Sequence, residues 1–210
     1  MERLLKGNWK IKANSGSYFR RSQIPKESMF TEMPDDIIYY CRAWDLAATA
    51  EGENENGEGD FTAGVLMGKR KGGRIIVLDV INVRVPAGEV ETLIYNTSVA
   101  DRSKYGFMYR VHVPQDPGAA GKILAQHYVD LLAGFDIKTE RVTGPKEVRA
   151  TPYATQWQNG NIQILVGEWN DMYFAQLESF PESLHDDMVD ASSDAFNELA
   201  NMKFDITNLL

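Results

Sequence analysis

The sequence predicts an α/β domain built on one mixed β-sheet with helices on both faces. Three β-rich runs follow one another before any helical pattern appears, and strands and helices then alternate. The first run is apolar at nearly every position, as a strand buried on both faces requires. The 210 residues, 43% hydrophobic and 25% charged, have the composition of an ordinary globular chain and a length that fits one domain with an appendage.

Residues 1–34 mix basic, aromatic and small side chains without a period and end at Met33-Pro34, so they read as a linker or arm, with the domain expected over 35–210. The run Ile37–Ala47, IIYYCRAWDLA, is the first strand and stops at the Gly/Asn/Glu tract Glu51–Asp60. Phe61–Arg70 and Arg74–Val85 are β-rich and are separated by Lys71-Gly72-Gly73, which completes a meander. Pro86 ends it, and Val90, Leu93, Ile94 and Thr97 then recur at helical spacing. Tyr109–Val113 is a short strand running into Pro114-Gln115-Asp116-Pro117-Gly118, and Ile123, Leu124, His127, Tyr128, Leu131 and Leu132 mark an amphipathic helix after it. Asp136–Val142 reads as a strand, Lys146–Gln158 as a helix and Asn161–Val166 as a short strand. Asp171–Phe180 and Leu184–Asn201 read as two closing helices.

Cys41 is the single cysteine, which excludes an internal disulfide and any thiolate metal centre, so a metal would need oxygen or imidazole ligands. No run approaches the roughly 18 apolar residues of a membrane span, and MERLLKGNWKIK lacks the apolar core of a signal peptide; an intracellular protein without a membrane partner is expected. The net charge of −8 is unevenly spread. Residues 1–30 carry seven Lys and Arg against two Glu, a net of +5, which leaves −13 on the rest. Two segments hold much of the acid: Glu51–Asp60, EGENENGEGD, and Glu182–Asp194, ESLHDDMVDASSD.

Aspartates stand at three informative places. Asp45 interrupts an apolar strand, where an ionised carboxylate costs several kcal/mol unless something compensates it. Asp116 follows a strand directly, at the carboxyl end where ligands gather in open α/β sheets. On a helical projection from Leu184, the residues Met188, Ala191, Ala195 and Leu199 share one face, while Asp186, Asp187, Asp190 and Asp194 share the other. Such carboxylates repel at i,i+3 and i,i+4, with no basic residue interleaved on that helix, and a bound cation would relieve them. All-oxygen ligation favours Mg²⁺ or Mn²⁺, and two such ions can stabilise both the attacking and the leaving oxygen of a phosphodiester cleavage.

Several blocks resemble, in order and spacing, the C-terminal nuclease domain of bacteriophage terminase large subunits. They are Arg42-Ala43-Trp44-Asp45-Leu46-Ala47, Asp60-Phe61-Thr62-Ala63-Gly64, Pro114-Gln115-Asp116-Pro117-Gly118, Lys146-Glu147-Val148-Arg149-Ala150 and His185-Asp186-Asp187-Met188-Val189-Asp190-Ala191. The resemblance covers roughly Ile37–Leu199 and implies an RNase H-like fold related to the RuvC resolvases. It also implies a two-metal (Mg²⁺ or Mn²⁺) endonuclease that cuts concatemeric double-stranded viral DNA during genome packaging in the cytoplasm of an infected bacterium. By position, Asp45 resembles the bridging carboxylate of the first strand and Asp116 the acid of the fourth. The helical ligand resembles Asp187, with Asp186 or Asp190 assisting, and Lys146 and Arg149 resemble the basic position beside the site. The partners implied are the ATPase domain of the same large subunit, with residues 1–34 resembling its connector, together with the small terminase subunit and the portal.

Lys146 and Arg149, three apart on a helix, could contact phosphates, as could Lys69, Arg70 and Lys71 on the second hairpin, with Arg74 close by. The string Gly118-Ala119-Ala120-Gly121-Lys122-Ile123 lacks the spacing and the Ser/Thr of a nucleotide-binding loop, so no ATPase is expected here. His112, His127 and Cys41 read as packing or surface residues. Trp44, Trp157 and Trp169 read as core or interface, and His185 as a residue that could position a ligand or phosphate. Two other readings stay open: a resolvase- or transposase-like nuclease of the same fold, and a non-catalytic docking module of a packaging motor.

Overall fold

A computed structural model of the chain describes residues 18–46 and 61–202. The acidic tract Glu51–Asp60 and residues 1–17 of the arm lie outside the described residues. Seven strands form one sheet: β1 (Met29–Phe30), β2 (Ile37–Asp45), β3 (Thr62–Arg70), β4 (Ile75–Val83), β5 (Tyr109–Gln115), β6 (Asp136–Arg141) and β7 (Ile162–Leu165). The helices are α1 (Ala87–Tyr105), α2 (Ala119–Leu131), α3 (Lys146–Gln158), α4 (Asn170–Ser179) and α5 (Asp187–Asn201).

The strand order is β1-β7-β4-β3-β2-β5-β6. The meander β2–β3–β4 is antiparallel, whereas β5 joins β2, β6 joins β5 and β7 joins β4 in parallel. The chain accordingly needs crossover helices after β5 and β6 and places them on opposite faces of the sheet. One core layer gathers Trp44, Leu66, Leu78 and Val111 with Val90, Ile94 and Tyr128 of α1 and α2. The other gathers Cys41, Ala43, Val65 and Met67 with residues of α3, α4 and α5. Strand periodicity thus divides β2, its even positions facing α1 and α2 and its odd positions, ending in Asp45, facing α5.

The beginning of the fold departs from the expected boundary. Phe19 is completely buried and packs its ring on Tyr153, Trp157 and Phe180. Trp157 Nε1 donates to the Arg20 carbonyl at 2.9 Å, and β1 pairs in parallel with β7, Met29 opposite Ile164. Residues 18–34 are therefore built into the domain. Their sequence has no period because single aromatic side chains of a strap, rather than a helix or strand face, enter the core.

At the other end, α5 starts at Asp187, not at Leu184, which is 96% exposed. The predicted apolar face is correct: Met188, Ala191, Ala195 and Leu199 are all buried. The opposite face is not open to water, because α3 packs over it.

Candidate active site

The sheet brings Asp45 and α5 together. Ala43 and Ala63 on the strands and Ala191 and Ala195 on the helix are fully buried small residues, which let helix and sheet approach closely. Three contacts fix α5 along its length. The Met188 amide donates to Gln176 Oε1 at 2.7 Å. Glu198, 4% exposed, pairs with Arg110 of β5 at 2.5 Å and with Lys138 of β6 at 2.7 Å. Lys69 Nζ donates to the carbonyls of Leu199 and Met202 at 2.8 and 2.6 Å, where a cation complements the negative end of the helix dipole.

Asp45 consequently meets the acidic end of α5. Its carboxyl is held well above the ordinary carboxylate range, first by burial and then by the charges of Asp190, Asp187, Asp194 and Asp186. Burial likewise raises Asp190, with Asp186 and Asp187 adding to the effect. It carries Asp194 up to about 7. Acids that sequence periodicity placed on one helix face thus converge, with the strand carboxylate, on one shared region.

The relief expected from a cation comes in part from α3. Lys146 Nζ donates to Asp186 Oδ2. Arg149 Nη2 donates to Asp190 Oδ1 at 2.8 Å, and its Nη1 lies 3.7 Å from Asp194 Oδ1. The sequence shows no basic residue interleaved on the acidic helix, and the structure supplies both from its neighbour. Lys146 and Arg149 share a face as expected, and that face is turned to the acids.

Asp116 stands immediately after β5, exposed, on the same sheet edge. Ala43 pairs with His112, so continuing the parallel register sets Asp45 level with Pro114, two residues short of Asp116. The chain turns there through Gly118, whose φ of 100° only glycine adopts readily, into α2. Asp116 thus stands one strand over from Asp45, just past the end of β5.

The donor chemistry fits a hard divalent cation. Every acid here offers oxygen alone, and the shared repulsion that raises Asp45 is what such an ion would neutralise. Among the described residues no group of three His, Cys, Asp or Glu side chains is close enough to form a ready-made metal cage. Lys146 and Arg149 hold positions that a cation would share or take.

The second hairpin lies elsewhere. Asp45 pairs with Ala63 whereas Lys69 pairs with Tyr39, six residues along β2 and so about 20 Å from the acids. Lys69 is engaged with the end of α5, and Arg70 pairs with Asp36 at 2.7 Å and lies over the Phe30 ring. Lys71 is exposed at the tip. The structure thereby separates Lys69, Arg70 and Lys71 from Lys146 and Arg149, with which they were grouped as phosphate contacts.

Arg42 received no role from its motif, yet it is the buried ion that organises β2. Only 2% exposed, it donates to Asp101 Oδ2 at 2.5 Å and Oδ1 at 3.2 Å, to Asp79 Oδ2 at 2.9 Å and to the Gly64 carbonyl at 3.3 Å. Burial opposes its charge, but the hydrogen bond and charge of Asp101, with the charge of Asp79, more than offset this and raise its pKa. Its usable signal was a charged residue at an even, fully buried strand position. The neighbouring Trp44 ring lies across Gly64, where an added Cβ would be 2.5 Å from a ring carbon. Cys41 is buried with its thiol raised by burial, and His112 is 4% exposed and lowered by burial, both as packing residues.

This fold and this edge of carboxylates define a domain of the RNase H-like class. The chain belongs to the family described as the terminase RNase H-like domain, which matches residues 42–199. Solved terminase nucleases share the fold at low sequence identity. The human cytomegalovirus terminase nuclease domain aligns at TM-score 0.61 and 11% identity over 83% of this chain and 94% of its own. The large terminase nuclease of thermophilic phage G20c with bound magnesium aligns at TM-score 0.60 and 12% identity, over 90% of this chain and 98% of its own. The Thermus phage P74-26 large terminase nuclease domain aligns at 0.52 and 14%, over 88% and 93%. No curated protein matches the chain in sequence.

Proposed function

We propose that the chain is a metal-dependent endonuclease that cuts double-stranded DNA during viral genome packaging. The observation that carries this reading is Asp45, a strand carboxylate raised by burial and by Asp187, Asp190 and Asp194 of α5 with Asp186 just before it, in a domain of the terminase family. Asp45 and Asp187 would hold Mg²⁺ or Mn²⁺ with Asp116, and Asp186 or Asp190 would assist. The G20c enzyme, solved with magnesium, zinc or cobalt bound, supports a divalent ion of this kind. Bound there, such ions supply an activated water and charge stabilisation at the scissile phosphate.

The chain's own residues set the stage for that chemistry. Glu198 and Lys69 fix α5, and Arg42 fixes β2, so the carboxylates are presented from rigid elements. Lys146 and Arg149 offset part of the repulsion among the acids in the absence of an ion. They can turn to a phosphate once the ion carries that task.

The full assembly would add an ATPase region of the same large subunit, a small subunit and a portal, acting in the host cytoplasm. Among the described residues no helix is long and apolar enough to cross a membrane. Supercoiled plasmid with Mn²⁺ or Mg²⁺ tests the reading. Nicking and linearisation without site preference are expected. Cutting confined to branched junctions would assign a resolvase-like enzyme, and no cutting at any metal concentration a docking module.

A further inference from the structure

Two arginines leave the sheet at the edge that carries Asp45, one on each side of its strand. Val83, the last residue of β4, pairs with Thr62, so Arg84 leaves the sheet at the edge where Asp45 pairs with Ala63. Arg141, the last residue of β6, pairs with Gln115 at the same edge. In the order β4-β3-β2-β5-β6, the strand of Asp45 is the middle one and the two arginines are each two strands away. At about 4.8 Å per strand, each lies about 10 Å to one side of Asp45.

Both residues are exposed. The Arg84 guanidinium lies over the Phe61 ring at 4.2 Å, and the edge of that ring meets His185 at 5.2 Å, just before the acids of α5. This stack presents a cation from a fixed shelf. Arg141 lines a cavity of about 130 Å³ together with Arg149 and Asp194. Among the described residues it makes no ion pair, unlike Arg70 at the far edge.

We propose that Arg84 and Arg141 are the two phosphate clamps of this site, each gripping the DNA backbone on one side of the phosphate held over Asp45. A guanidinium suits this task because its fork matches two phosphate oxygens. Their combined separation of about 20 Å corresponds to five or six nucleotides at about 3.4 Å of helix rise per phosphate. DNA thus runs along the carboxyl edge of the sheet, across the strands, and does not reach the β3–β4 hairpin. The inference rests on the nuclease reading above, and it is tested by binding so that the two can fail separately.

Binding of a fluorescent 30-base-pair duplex is measured in Mg²⁺ between 25 and 200 mM salt, in an Asp45→Asn background that prevents cutting. Arg84→Ala and Arg141→Ala should each weaken binding about 3- to 10-fold and lower the salt slope by about 0.9, and the double variant should lose both contacts. Arg84→Lys should retain most of the slope. Lys71→Ala combined with Arg74→Ala should change neither quantity, and all variants should melt within about 2 °C of their parent, as exposed substitutions do. Unchanged affinity in the double arginine variant, or a loss in the hairpin variant instead, would overturn the clamp. Failure of the parent with Asp45 intact to nick plasmid would overturn the nuclease reading while leaving the binding result to stand on its own.

Discussion

Gly121, in the first turn of α2, leaves the space that the Asp116 backbone occupies: a Cβ built on it would lie 2.2 Å from the Asp116 carbonyl oxygen and 2.8 Å from the Asp116 Cβ. Neither neighbour is a flexible side-chain end that could step aside. The Gly-Ala-Ala-Gly-Lys string, which fails as a nucleotide-binding loop, thus has a structural use: its second glycine sets how closely the acid of β5 sits against the helix that follows it.

Gly121→Ala should therefore displace Asp116 even though alanine favours the helix by about 1 kcal/mol. The expected outcome is at least a tenfold loss of plasmid nicking with far-ultraviolet circular dichroism unchanged. Wild-type nicking by this variant would show that the position of Asp116 does not matter to the reaction.

Asp45→Asn removes a carboxyl of the cluster that no described cation meets directly, whereas Asp186, Asp190 and Asp194 face Lys146 and Arg149. In metal-free buffer the melting temperature should hold or rise, by roughly 2–4 °C per kcal/mol of repulsion removed for a chain of this length. Addition of Mn²⁺ should stabilise the wild type and leave the variant nearly unmoved. A large metal-free loss would mean that the Asp45 carboxyl supports the fold, not the ion.

Arg149 separates two acids on one helix, and its removal leaves the half-buried Asp190 and Asp194 without their partner. Breaking a buried pair in this way costs about 3–5 kcal/mol, with some discount for the partial exposure of this one. Arg149→Ala should accordingly lose more stability than Lys146→Ala, whose side chain is 45% exposed. Adding Asp190→Asn to Arg149→Ala should restore part of the loss, a coupling that urea titration of the double-mutant cycle reads directly. Additive effects would separate Arg149 from the acids energetically.

The fold was legible because its signals are local. The alternation of β2, the Gly-Gly turn of the hairpin and the apolar stripe of α5 each report a periodicity that tertiary packing keeps. The acids were legible too, since a carboxylate in an apolar strand and four on one helix face are unusual in themselves. What could not be read was which cation meets which anion. Lys69, Lys146 and Arg149 look alike in sequence, but one caps a helix end from 130 residues away and two cross from α3 to α5. Such pairings depend on the three-dimensional register of elements far apart in the chain, and residues 18–34 escaped for the same reason.

Asp194 makes the metal linkage measurable by pH. Its carboxyl is raised from 3.8 to about 7 by burial, with Asp190 and Glu140 adding and Arg149 opposing, so the folded state prefers it protonated. Its contribution to stability is complete below 3.8 and is lost as pH rises through about 7. Asp45 and Asp190 are shifted in the same direction, whereas Glu198, lowered by Lys138 and Arg110 against its burial, works the other way and only in acid. A window of pH 5–8 therefore holds the aspartates together with His112, whose pKa burial lowers so that it works against them; a His112→Gln background leaves the aspartates alone. In that background metal-free protein should melt roughly 5–10 °C lower at pH 8 than at pH 5, from a loss of about 2–3 kcal/mol on Asp194 alone. Mn²⁺ binds the ionised carboxylates, so its stabilisation should be small at pH 5 and should recover most of that deficit at pH 8. Asp194→Asn should flatten the metal-free profile. A profile equally steep in that variant would place the titration on Asp45 or Asp190, and one that rises toward pH 8 without metal would contradict the repulsion on which the site is built.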